Sequence, residues 1–150
     1  MYDLHDYLSP VDMHVLNEDG GYNDGQFAKH IKIYESELPD LSDADIVLLG
    51  VNEFRGSGLF DVQESAASVI RRQLYQLHYW HFDTRIADIG DIKTGASLND
   101  SYAAIKTVLS ELLRMQKTVV IIGGSHDVTL AQYFAYRDLG RSIEATCIDA

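Results

Sequence analysis

The chain has 150 residues, 46% of them hydrophobic, one cysteine, and 23 acidic against 12 basic side chains for a formal net charge of -11. That is enough apolar material for one packed domain and excludes a disordered chain. The acidic excess disfavours nucleic acid and anionic membrane as partners, and one cysteine excludes an intrachain disulfide framework.

Met1 to His5 lacks a basic region leading into an apolar run, and no stretch approaches the roughly 20 apolar residues of a membrane span. The expected setting is cytoplasmic. Residues 1–150 read as a single α/β domain, with an N-terminal arm and loop over 1–44 and a sheet core over 45–150. The arm carries Tyr2, Leu4, Tyr7, Leu8, Val11, Met13 and Val15 without clean periodicity, interrupted by Pro10. Asn17 to Gly25 is acidic and glycine-rich but lacks the EF-hand spacing, so it reads as a surface loop. Phe27 to Leu38 fits either a helix face (Phe27, Ile31, Tyr34, Leu38) or a strand (Ile31, Ile33), closed by Pro39.

Ile46 to Val51 is the first expected core strand. The turn after it, Asn52 to Gly58, has neither the Gly-Lys-Ser/Thr of a phosphate loop nor a dinucleotide fingerprint. It serves as a structural turn or as a place where Asn52, Glu53 and Arg55 face a substrate. Asp61 is the predicted N-cap of an amphipathic helix with Val62, Ala66, Val69, Ile70, Leu74 and Leu77 inward, and Arg71 and Arg72 off that face. His78 and His81 at its end read as a metal pair or as cations suited to a helix C-terminus. Arg85 to Asp91 is a second strand, with Asp88 and Asp91 near its carboxyl end. Asp100 is expected to cap a helix whose face is Tyr102, Ile105, Val108, Leu109, Leu112 and Met115.

The last third carries the sharpest pattern. Thr118 to Ile122 is an apolar β-branched strand ending in Gly123-Gly124, followed by Ser125-His126-Asp127, a helix from Val128 stopped at Gly140, and a short apolar run, Ala145 to Ile148, that ends in Asp149. Cys147 in that run reads as a buried, inert thiol. The order is β-α-β-α-β-α-β, which calls for a parallel sheet with helices on both faces. His126 and Asp149 then converge on the carboxyl edge, where open α/β sheets bind ligands, and imidazole with carboxylate suits a divalent transition metal. Asp127 reads either as a second group near that metal or as a favourable charge at the positive end of the next helix.

Gly123-Gly124-Ser125-His126-Asp127 resembles the Gly-Gly-x-His motif of the arginase (ureohydrolase) superfamily, and Ile148-Asp149-Ala150 resembles the start of its Asp-Ala-His ligand cluster, at a fitting interval of 23 residues. The resemblance covers about residues 45–150. It implies the first half of the arginase fold and a hydrolase with two Mn2+ per active site that cleaves a C–N bond of a small guanidino or formimino substrate by attack of metal-bridged hydroxide. It implies that His126 is a terminal metal ligand and Asp149 a bridging one, with Asn52 and Arg55 toward substrate. Ser125 stands where that motif usually has an acid, and the turn is closer to the Gly-Gly-Gly-His-Glu of formimidoylglutamases than to arginase proper. The chain ends on an apparent central strand, so it is expected to be the front of a longer protein, with the remaining ligands downstream and the 150 residues alone inactive. Homo-oligomers are common in the resembling family. A non-catalytic arginase-like binding or assembly domain is the alternative; a flavodoxin-like or nucleotide-binding fold lacks its phosphate loop here.

Overall fold

The computed structural model describes residues 3–17, 21–62, 64–140 and 142–148. In chain order the elements are β1 (Leu8–Ser9), α1 (Met13–Leu16), β2 (Lys32–Ile33), β3 (Ile46–Gly50), α2 (Ala66–Leu74), β4 (Ile86–Ile92), α3 (Leu98–Arg114), β5 (Thr118–Ile122) and α4 (Val128–Asp138). The strand runs rich in Ile and Val form the centre: β3 pairs in parallel with β4 on one side and β5 on the other. The sheet order is β1-β4-β3-β5, with β1 antiparallel to β4 and β2 parallel to it. The α/β class with a mostly parallel sheet expected from the sequence is thus found, with β1 as an antiparallel edge strand.

Side chains alternate across a strand. Val47, Leu49, Val51, Ala87 and Ile89 join one apolar core with Ile105, Val108, Leu109 and Leu112 of α3 and Val128, Ala131 and Ala135 of α4. Each fully buried Val, Leu or Ile among them contributes about 1.5–3 kcal/mol. The N-terminal segment is built into the same core through Leu4 and Leu8. The ambiguous stretch after Phe27 resolves into a short 3-10 turn, Phe27–Lys29, and then β2.

The opposite face is polar at its centre. The register passes from Leu48↔Asp88 to Gly50↔Asp91, so β4 carries one extra residue at a bulge. The bulge breaks the alternation and brings Asp88 and Asp91 to the same side. Both meet Arg71 of α2. Arg71 Nε and Nη2 donate to Asp88 at 2.8 Å each, and Nη1 donates to Asp91 at 2.5 Å. Tyr75 OH donates to Asp88 Oδ2 at 2.9 Å. Arg71 is 1% exposed and Asp88 0%. Burial works against the Arg71 charge, but the two aspartates more than offset it and its pKa lies above the ordinary value. Burial, and then the negative charge of Asp88, push the Tyr75 phenol up.

Several local expectations change. α2 starts at Ala66, because Ser65 Oγ, not Asp61, accepts Ser68 N–H at 3.0 Å. Its buried stripe is Ala67, Arg71 and Tyr75, while Val69, Ile70 and Leu77 are exposed, since the charged strand opposite selects the polar stripe. The helix ends at Leu74, so His78 and His81 share no helix face; His78 forms an isolated bridge with Gln26. α3 is capped by Ser97, with Asp100 as the third helical residue completing a capping box. Residues 142–148 carry no strand and are exposed, so Cys147 is exposed, not buried. Asp149 lies outside the described residues.

Candidate functional site

The loops after β3, β4 and β5 gather at the carboxyl edge of the sheet. The turn after β5 depends on its glycines: Gly123 and Gly124 have φ of 88° and 76°, a region that disfavours side chains. A Cβ at Gly123 would also lie 2.6 Å from Val51 O and 3.1 Å from Ala67 N, and one at Gly124 would lie 2.8 Å from Val128 Cγ2. The turn therefore lies against the end of β3 and the start of α2.

Ser125 ties this turn to the segment after β3, donating from its backbone N–H to Glu53 O at 3.0 Å. His126 follows on the rim. It is exposed, its imidazole makes no hydrogen bond to described residues, and it lines a cleft of about 270 Å³ with Gly124, Thr129 and Gln132. Asp127 is the next residue and opens α4, but its side chain makes no capping bond to that helix. Its carboxylate instead accepts from Tyr102 OH on α3 and from Ser125 Oγ. Burial pushes the Asp127 carboxyl up; the bonds from Ser125 and Tyr102 outweigh this and leave it below its ordinary value. Burial and the bond to Asp127 push the Tyr102 phenol up to about 12. A Cβ at Gly56 would collide with the Asp127 carboxylate, so glycine is required there for room.

Arg55 and Asn52, expected to face substrate, line a second cleft of about 230 Å³ with Leu59 and Phe60. Their polar atoms are committed inward. Arg55 Nε and Nη2 donate to Glu53 Oε1 at 2.9 Å and Oε2 at 2.6 Å, and the same guanidinium reaches Gly95 O at 3.0 Å, Ala96 O at 3.1 Å and Ser101 Oγ at 3.1 Å. Asn52 Nδ2 donates to Asp91 Oδ2 at 3.1 Å while its Oδ1 accepts Ser65 Oγ at 2.7 Å. Both residues brace the rim through these bonds. Glu53 is 2% exposed, and the hydrogen bonds from Arg55 hold its carboxyl at about 2. Sequence reasoning missed this partnership and the part of Ser101 and Tyr102 in it. The one local signal was the Glu-x-Arg spacing of Glu53 and Arg55 inside a turn.

Among the described residues no three His, Cys, Asp or Glu side chains group as a metal site. His126 supplies one free nitrogen donor, and a single imidazole does not hold a divalent ion against water. The described residues therefore offer one donor at the expected edge and do not by themselves fit a metal centre. Asp88 and Asp91, also acidic at a strand end, are spent on Arg71. No helix among the described residues is long and apolar enough to cross a membrane.

No curated protein matches the chain. Among solved structures it is similar to Trypanosoma cruzi formiminoglutamase with Mn2+, at 21% identity and a TM-score of 0.59, covering 77% of this chain and 41% of that one. It is also similar to an arginase superfamily protein from Trypanosoma cruzi, at 22% identity and a TM-score of 0.53, covering 67% and 40%. At this identity the likeness shows a shared fold, and the chain spans about two fifths of the length of these structures. Residues 18–150 match the family model described as the arginase family, and the chain belongs to that family.

Proposed function

We propose that this chain is the front portion of a manganese-dependent hydrolase that cleaves a C–N bond of a small guanidino or formimino substrate, with a formimidoylglutamase-type substrate preferred over agmatine or arginine. The observation that carries the reading is the placement of His126: a free imidazole on a braced glycine turn at the carboxyl edge of β5, in a chain of the arginase family. A solved relative that contains Mn2+ is a formiminoglutamase, which supports the metal; the likeness of the Gly123-Gly124-Ser125-His126-Asp127 turn to that of formimidoylglutamases supports the substrate preference.

In this reading His126 and Asp149 would hold the metal together with donors from the rest of the full-length protein, and the bound metal would supply an acidified water as nucleophile and polarise the substrate. The chain's own residues do the rest. The Gly123-Gly124 turn sets His126 on the edge, Asn52 and Arg55 hold the β3 rim in shape, and Leu59 and Phe60 narrow the neighbouring cleft.

The test is to express the gene product through the codons after Ala150, measure its manganese content, and assay formimidoylglutamate, agmatine and arginine. Bound manganese with C–N hydrolysis, both lost in His126→Ala and Asp149→Ala, is the expected result. A protein that binds no manganese, or a His126→Ala variant that retains it, overturns the reading. The alternative, a non-catalytic arginase-like domain, is favoured by one observation: the described residues contribute a single donor. It prevails if the downstream sequence lacks metal-binding side chains.

A further inference from the structure

The two residues that flank His126 are both anchored, and their anchors close into a ring. Ser125 N donates to Glu53 O at 3.0 Å. The Glu53 carboxylate takes Arg55, and Arg55 Nη2 donates to Ser101 Oγ at 3.1 Å. Ser101 Oγ also accepts Gly95 N–H at 2.9 Å, which ties in the loop after β4. The next residue along α3 is Tyr102, whose OH donates to Asp127, and the second Asp127 oxygen accepts from Ser125 Oγ. The path therefore runs from Ser125 through Glu53, Arg55, Ser101, Tyr102 and Asp127 back to Ser125. It links all three edge loops to the start of α3. Of residues 125–127, only His126 keeps its side chain outside the ring.

We infer that Tyr102 and Asp127 are positioning residues for His126: they clamp the turn behind the imidazole so that its direction is set before any ligand arrives. This rests on the reading of His126 as a metal donor. Three independent features support it. The Asp127 side chain makes no capping bond, although Asp127 is the N-cap residue of α4. Tyr102 comes from a different element, 25 positions away in sequence, so the bond is a tertiary one. Gly56 leaves room for the carboxylate where any side chain would collide with it. A donor held by fixed neighbours binds a metal more tightly than one on a mobile loop, and losing such a partner typically lowers metal affinity 10–100-fold.

The experiment uses the full-length gene product and two conservative variants, Tyr102→Phe and Asp127→Asn. Amide hydrogen exchange of residues 124–128 is measured in the metal-free protein, and Mn2+ affinity by calorimetry. The expected result is exchange at 124–128 about tenfold or more faster in either variant, unchanged exchange in β3 and β4, and Mn2+ affinity lower by about 10–100-fold. Unchanged exchange at 124–128 overturns the clamp. Equal acceleration throughout the sheet also overturns it, because the two residues then serve general stability. Local acceleration with Mn2+ affinity unchanged, in a protein whose His126→Ala variant loses manganese, overturns the positioning role. If His126→Ala retains manganese, the metal-donor reading fails, and the clamp stands or falls on the exchange result alone.

Discussion

The two faces of the sheet are held by different physics. Against α3 and α4 the centre of the contact is apolar, with Val47, Leu49 and Ile89 in one core with Ile105, Val108 and Leu109. Against α2 the centre is an ion cluster in which one guanidinium serves two carboxylates and a phenol shares one of them. A packed hydrocarbon face tolerates a lost methyl group at a graded cost. A buried ion cluster fails abruptly, because the remaining charge has no partner and no water.

The sharpest test of that contrast is Arg71→Met. It leaves Asp88, fully buried, with a hydroxyl and a backbone N–H as its remaining partners. We expect a loss of about 3–5 kcal/mol by urea denaturation. Arg71→Met combined with Asp88→Leu should recover most of that loss, because the stranded charge is gone; no recovery would show that the cluster is not a coupled unit. On the other face Leu109→Ala should cost about 2–5 kcal/mol, graded by how far the cavity collapses. A milder, filled substitution such as Leu109→Met should cost less than about 1.5 kcal/mol.

The rim pair of Glu53 and Arg55 lies between these extremes and is sensitive to acid. The Glu53 carboxyl titrates at about 2 when folded, against an ordinary 4.5, chiefly because Arg55 bonds to its charged form. A folded value below the unfolded one means that the stabilisation is full above about 4.5 and is lost as pH falls from there toward 2. The difference in unfolding midpoint between the wild type and Glu53→Gln should therefore shrink over that window and stay constant from pH 6 to 8. A difference that does not change with acid would show that the pair contributes through packing alone. The smallest effect is expected at Ile70, which is 41% exposed on the outer side of α2. Ile70→Gln should shift stability by less than about 0.5 kcal/mol; a loss several times larger would mean that the helix buries its apolar stripe after all.

The same contrast explains what was legible beforehand. β3, β5 and α3 announced themselves because their contacts are apolar and periodic, and period is what a sequence displays. The α2 face was misread because its buried stripe, Ala67, Arg71 and Tyr75, contains an arginine, and charge on a helix usually marks the solvent side. The clue lay in another segment: two aspartates inside an apolar strand, three residues apart, read as opposite faces until the bulge puts them on one. At the edge, the glycine turn and His126 followed from local pattern. The commitment of Arg55 and Asn52 to internal partners did not, because Ser101, Gly95 and Asp91 come from remote parts of the chain. Tyr102 was assigned to a helix face correctly, but its hydroxyl has no period to betray its partner. The run at Ala145 reads as a strand on composition, but residues 142–148 carry no strand and are exposed.

Gly50 marks a debt between two positions 41 residues apart in the chain. It sits opposite Asp91 at the bulge, where a Cβ would collide with the Asp91 carboxylate and lie 2.9 Å from Arg71 Nη2. The space a methyl group would fill is the space the aspartate uses to reach its arginine. The dependence runs one way: alanine at 50 displaces the carboxylate, whereas loss of the carboxylate removes that reason for glycine. Among descendants of this sequence a side chain at position 50 should therefore appear only where Asp91 has already been replaced.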